Sequence, residues 1–145
     1  MRIHQLSILF ILLLLLVGCS ISQKPIDYGE AACHYCSMTI VDKQHAAQIV
    51  TDKGKVFNYD AIECMMNQMN EADAPTVALF LANDYSNPGE LMDATNATYL
   101  ISEGIPSPMG AFLTGFSSEA EASAAHASHG GELYDWEGLK EKFKE

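Results

Sequence analysis

The chain has 145 residues, with 8 Lys and Arg against 19 Asp and Glu and a formal net charge of −11 at neutral pH. A polypeptide this acidic repels phosphate backbones and anionic headgroups, which excludes nucleic-acid binding and any basic membrane-binding patch. Its length supports one small domain around a single core.

Residues 1–18 set the compartment. Arg2 is the one charged residue among them, and Ile8–Val17 is an unbroken apolar run. A short charged start followed by an apolar stretch too brief for a comfortable membrane span reads as a secretory signal peptide. The run closes with Leu16-Val17-Gly18-Cys19, which resembles a bacterial lipobox with Cys19 as the lipidated first residue of the mature protein. An uncleaved anchor helix with a chance cysteine is the alternative. Acyl chains contribute about 0.8 kcal/mol per buried methylene, so several of them hold a small domain on a membrane. Ser20 follows Cys19 where an acid is absent, compatible with an outer-membrane location facing the periplasm in a host that has one. The mature part keeps 7 basic and 19 acidic residues, a formal charge of −12. Residues 19–30, polar and carrying Pro25, read as a lipidated tether, and 31–145 as the folded domain.

With Cys19 assigned to lipid, Cys33, Cys36 and Cys64 remain. An odd count in an oxidising compartment leaves at least one thiol outside intramolecular disulfides. The stretch Cys33-His34-Tyr35-Cys36-Ser37-Met38 sets two thiols, an imidazole and a thioether in six residues. Thiolate and thioether sulfurs are soft donors that select Cu(I). A Cys-x-x-Cys redox pair ordinarily opens a helix, whose N-terminus lowers the thiol pKa. Here the β-prone Met38-Thr39-Ile40-Val41 follows instead, which weighs against redox catalysis. Ser37 in place of histidine rules out covalent haem attachment, and no second cysteine or histidine pair sits well on a turn for structural zinc. Cys36 and Met38 are two apart, so on a strand they share a face; Met38 as a plain core residue is the other reading.

Met38–Val41 and Ala46–Thr51 then suggest a hairpin about the polar Asp42–Gln44, in which His45 has no identifiable partner. His34, alternating with the cysteines, is expected to face away from the sulfurs. Asp52–Lys55 forms a turn into a strand at Val56–Tyr59. A helix follows from Asp60, whose spacing to Glu63 is that of a capping box. Ile62, Met65, Met66 and Met69 make one apolar stripe, read as core rather than as a copper cluster. Cys64 lies about 200° from Ile62 around that helix, where it approaches a second element or faces solvent; it ranks last among the candidate ligands. Thr76–Ala82 reads as a buried strand, Leu91–Asp93 and Thr98–Ser102 as short strands about the Ala94–Asn96 turn.

Gly104–Gly110 is a loop carrying Pro106 and Pro108. Met109, between proline and glycine, is either a soft ligand on a surface loop or an anchor tucked into the core. Ala111–Phe116 forms a strand, and Ser118 with Glu121 caps an Ala-rich helix that stops at Gly130-Gly131. His126 and His129 share a face near its end, where the helix dipole favours them. Glu132–Tyr134 and Trp136–Phe143 close the chain as a strand and a helix. The order predicts an α+β fold of two similar strand-strand-helix-strand halves with mainly antiparallel sheet. No Ser-His-Asp order, phosphate loop or nucleotide fingerprint is present, and the chain is not read as an enzyme.

The lipobox, Cys33-x-x-Cys36-x-Met38, Phe57-Asn58-Tyr59-Asp60 leading to Cys64, and Ser107-Pro108-Met109-Gly110 before Ala111-Phe112 resemble the NosL family. The capped helix ending in His129-Gly130-Gly131 extends the likeness over essentially the whole mature chain. The resemblance implies an α+β fold of two similar halves and a lipoprotein that binds Cu(I). It further implies a chaperone feeding copper to nitrous oxide reductase or its assembly machinery. By motif it favours Cys36, Met38 and Met109 as copper ligands, with Cys33 next. A thiol-disulfide oxidoreductase using Cys33 and Cys36, and a non-catalytic tethered binding module, stay open as alternatives.

Overall fold

The computed structural model describes residues 20–144, so the signal-peptide and Cys19 readings lie outside the described residues. In chain order the elements are β1 (Ala47–Thr51), β2 (Val56–Tyr59), α1 (Ile62–Met69), β3 (Val77–Asp84) and β4 (Asn87–Asp93). After a 3-10 turn at Ala94–Asn96 come β5 (Thr98–Ile101), β6 (Leu113–Phe116), α2 (Glu119–His129), β7 (Glu132–Tyr134) and α3 (Trp136–Lys142). They build two antiparallel sheets, ordered β2-β1-β3-β4 and β6-β5-β7. In each, the first strand of the half is central, flanked by the second strand and by the strand that follows the helix. This is the expected α+β fold of two strand-strand-helix-strand halves, with β4 and α3 as additions.

The middle strand of the larger sheet shows why the order holds. β1 reads Ala-Gln-Ile-Val-Thr and is buried at every position, so it lacks the in-out alternation of a half-exposed strand. Its neighbours satisfy both backbone edges: Ile49 pairs with Phe57 on one side and with Phe80 on the other. The halves share one core, with Ile49, Tyr59, Ile62 and Met65 packed in the same cluster as Tyr99, Leu113 and Leu139. Trp136 sits between them, its ring 5.1 Å from that of Phe80 and 6.2 Å from that of Tyr99. At the end of β3 the Tyr85 N–H donates to the Gly115 carbonyl (2.9 Å), and the Ser117 hydroxyl donates to Asp84 (2.6 Å).

Three expectations change. Met38–Val41 is not a strand of a hairpin with β1, because both edges of β1 are already taken; it makes one isolated bridge, Thr39 to Ala32. His45 does have partners: it is buried between Asp42 (3.0 Å) and Thr114 (3.3 Å). The segment read as tether is docked from Lys24 onward. Gln48 uses its side-chain amide like a strand edge, accepting from the Lys24 N–H (3.0 Å) and donating to its carbonyl (2.8 Å), and Ile26 enters the core.

Ser118 caps α2 as its spacing predicts, accepting from the Glu121 N–H, and Asp135 does the same for α3. Gly131 follows α2 with φ of 98°, and a Cβ there would lie 2.2 Å from the Ile101 carbonyl oxygen, whereas one on Gly130 meets open space at φ of 69°. Gly131→Ala therefore costs on the order of 3 kcal/mol or more, its backbone clash added to strain, and Gly130→Ala about 1–3 kcal/mol of backbone strain alone; urea midpoints of the two variants check the order. Burial raises the Asp84 carboxyl, but hydrogen bonds from Ser117 and Asn87 and from the Ser86 and Ser117 N–H groups outweigh it, leaving its pKa below the usual 3.8. A depressed carboxylate contributes stability above its unfolded pKa and loses it as pH falls through the folded one. Asp84→Asn should cost about 1.5–3 kcal/mol at neutral pH and show a shallower loss of stability on acidification than the parent.

Candidate metal centre

Two short pieces of chain meet at the C-terminal end of β2. The first is the turn from Cys33 to Met38. The Ser37 N–H donates to the Cys33 carbonyl (3.0 Å) and the Cys33 N–H to the Met38 carbonyl (2.8 Å). Ser37 carries a φ of 65°, a left-handed step that closes the loop and is tolerated by few residues other than glycine. The turn is fastened to β2 by the His34 N–H on the Asn58 carbonyl (2.8 Å), with the His34 ring stacked on Phe57 at 4.1 Å. That stacking explains why the imidazole turns to β2.

The second piece is the start of α1. Asp60 does not cap it: the helix begins at Ile62, Ala61 occupies the cap position, and no side chain caps it. The Asp60 carboxylate instead accepts from the Cys36 thiol (Sγ to Oδ1, 3.3 Å). Glu63 does not reach back as a capping box requires; it is buried and accepts from the Ser107 hydroxyl, while its other oxygen has no hydrogen-bond partner. The first turn of α1 is buried all round, Ile62 through Met66. Cys64, off the methionine stripe, is therefore fully buried as well.

The result is a compact donor set. The ligand atoms of Cys33, Cys36, Asp60 and Cys64 all lie within 4.8 Å of one another. All three cysteines carry free thiols; Cys33 and Cys64 are buried, and Cys36 is half-buried. The set is electrostatically uneven. A hydrogen bond from the Cys64 thiol, against burial, and further bonds from the Cys36 and Asp60 N–H groups draw the Cys33 pKa from 9.0 to about 6. Burial first, then its hydrogen bonding to Cys33 and Asp60, pushes Cys36 up to about 11. Cys64 is raised too, because it donates to Cys33 and is buried. The Tyr59 hydroxyl is buried without a hydrogen-bond partner, and burial together with the charges of Cys33 and Cys64 raises it. Of the three sulfurs, Cys33 is thus the one whose thiolate the surroundings favour, while those of Cys36 and Cys64 are disfavoured. Three soft sulfurs in a largely dry site are a donor set for a soft cation.

The predicted residues divide. Cys33 and Cys36 come together, joined by Cys64, which the sequence reading ranked last, and by Asp60, which it read as a helix cap. The signal for Asp60 was its spacing: four residues before Cys64, and preceded by a strand that ends beside the cysteine turn. Met38 is 53 % exposed and Met109 42 % exposed. The shared-face argument for Cys36 and Met38 fails because the left-handed Ser37 breaks the strand between them. The Met109 loop is anchored by Ser107 on Glu63, the residue next to Cys64. His126 and His129 belong to the end of α2, where His126 lies 3.1 Å from the Gly131 carbonyl and the His129 carbonyl accepts from Ser102. Met65 and Met66 are core and the half-buried Met69 packs against it, as their periodicity predicts.

Known proteins resemble this chain. Copper-binding lipoprotein NosL of Stutzerimonas stutzeri is 26% identical over 125 residues, covering 80% of this chain and 66% of that protein. The chain thus spans about two thirds of that relative's length. The crystal structure of the copper chaperone NosL from Shewanella denitrificans superposes with a TM-score of 0.71 at 20% identity, covering 81% of this chain and 95% of that one, a likeness of fold. A family model described as NosL matches residues 26–143. That span runs from the buried Ile26 through the cysteine turn and both sheets to α3, and by it the chain belongs to the NosL family.

Proposed function

We propose that this protein is a lipid-anchored Cu(I) chaperone, exported and tethered through Cys19, that passes copper to nitrous oxide reductase or its assembly machinery and catalyses no reaction. The observation that carries the reading is the meeting of three free thiols with Asp60, all ligand atoms within 4.8 Å. The relative, a copper-binding lipoprotein, and the structural neighbour, a copper chaperone, support it.

The chemistry of the donors suits a cargo ion. Cys33, the most readily ionised of the three thiols, is the ready ligand. Cys36 is the half-buried sulfur and so the one an arriving ion meets first. Asp60, a hard oxygen donor, suits the thiol proton better than Cu(I). Met38 and Met109 are exposed thioethers on a turn and a loop beside these elements; they bind without losing a proton, and serve as weak ligands during loading and release. An acidic surface of net charge −11 favours a recipient with a basic face, with association that slows as salt rises.

Titration of the reduced protein with Cu(I) against a strong chelator tests the reading. Cys33→Ser, Cys36→Ser and Cys64→Ser should each weaken binding on the order of 100-fold, and Met38→Ala or Met109→Ala about tenfold. A protein that cannot compete with the chelator is no copper chaperone; one that turns over a disulfide substrate without metal belongs to the redox alternative. Since a thiolate is the ligand, Cys36 and Cys64 must release protons on binding at neutral pH. Affinity should therefore climb with pH by about tenfold per unit for each proton released between pH 6.5 and 8.5. A flat profile across that range removes both raised thiols from the site.

A further inference from the structure

We propose that the β1–β2 turn, Lys53-Gly54-Lys55, is the membrane-facing end of this domain, and that the thiol cluster stands at the opposite end, facing away from the bilayer. The proposal rests on the reading of Cys19 as the lipid-bearing residue and adds the direction in which the anchor holds the fold.

The leash between Cys19 and the fold is short, and the position of Ser20 gives it a direction. Gln48 holds Lys24 by both its backbone groups, so at most five residue steps separate Cys19 from a fixed point, a reach of about 18 Å at full extension. The chain does not leave that point at random. The Ser20 carbonyl oxygen lies 3.8 Å from where a Cβ on Gly54 would sit, so the residue next to Cys19 already lies against the tip of the β1–β2 turn. Ile21 beside it is 45 % exposed, an apolar side chain with no place in the core and suited to the headgroup boundary.

The polarity of the hairpin then places the sulfurs. The turn precedes β2 and Asp60 follows it. At about 3.3 Å per residue, Lys55 and Asp60 are about 16 Å apart along the strand. The cysteine turn is fastened near that far end through His34 and Asn58. Beside the sulfurs, Tyr35 and Met38 are exposed apolar residues of the same turn, at 39 % and 53 %.

Charge agrees with this direction. The tip carries Lys53 and Lys55, the latter 4.5 Å over the Phe57 ring. Asp52 belongs to the same turn, and its N–H donates to Thr76, which brings the connection holding Glu71 and Asp73 to the same end. Lys144 is drawn there as well, since Asn70 donates to the Phe143 carbonyl (2.7 Å), and Lys144 pairs with Glu141. This end is therefore close to charge-balanced in a chain of net charge −11. It is no basic patch, and it lacks the strong negative charge of the chain as a whole, so anionic headgroups repel it weakly.

Lysine acetylation of the full lipoprotein on vesicles of phosphatidylethanolamine and phosphatidylglycerol, read site by site by mass spectrometry, tests the direction. The comparison is a variant with about 20 Gly and Ser residues inserted after Ile21, whose mean span of about 25 Å frees the domain from the surface. With the native leash Lys53 and Lys55 should react about fivefold more slowly than in the extended variant, while Lys43, at the far end beside Tyr28, reacts at one rate in both. Equal rates at Lys53 and Lys55 in the two proteins, or protection of Lys43 instead, overturns the proposed direction while the protein still floats with the vesicles. A native protein that does not float at all overturns the anchor reading, and the direction with it.

Discussion

The hydrogen bond from the Cys36 thiol to the Asp60 carboxylate (3.3 Å), with the Cys33 and Cys64 sulfurs packed into the same 4.8 Å cluster, joins two stretches of chain that are far apart in sequence. A thiolate in a largely apolar site is costly unless donors face it. Cys33 has them in the Cys64 thiol and the N–H groups of Cys36 and Asp60. To supply them, the cysteine turn must seat against the end of β2, and α1 must start at Ile62, one step late for Asp60 to cap it. The left-handed Ser37, the uncapped helix start and the turned Asp60 carboxylate are each a local departure that this one requirement accounts for. Local rules broken together around one group of side chains are the mark of a functional site.

The two-halves architecture explains why such a site occurs in one half. Each half places its first strand at the centre of a sheet and returns through a helix to its other edge. In the first half the helix start is roofed by the cysteine turn and buried on all sides; in the second, α2 begins with an ordinary serine cap and buries only Ala122. The second half contributes to the centre indirectly, by sending Ser107 across to Glu63. Its loop thereby holds Met109 to the helix that carries Cys64.

Holding copper and giving it up place opposite demands on the sulfurs. In the proposed chaperone the lowered Cys33 is the ready ligand, while the raised Cys36 and Cys64 lose protons on binding and regain them as the ion leaves. In the proposed orientation the half-buried Cys36 faces the aqueous side rather than lipid.

Much of the fold was legible from residue order alone. The strands at Val56–Tyr59 and Glu132–Tyr134, the methionine stripe of α1 and the Ser118 cap each follow from periodicity or capping chemistry confined to a few neighbouring residues. The Cys33–Cys36 pair was visible for the same reason, but the turn that carries it was read as the approach to a strand. What failed involved distance. Met38–Val41 has strand composition, yet β1 had no free edge to offer it, and Lys24 looked like tether because its partner, Gln48, lies on a strand buried on both faces. Asp60 has the spacing of a cap, and Cys64 the angular position of a bystander. Both judgements concern an isolated helix, and this helix is enclosed by a turn from the other end of the half. The sequence by itself determined the fold class, the thiol chemistry and the family, because these depend on residue type and near-neighbour spacing. Only the tertiary structure decided that Cys64 and Asp60 complete the opening cysteine pair, because the free energy of burying a charged sulfur is settled by groups that meet in space.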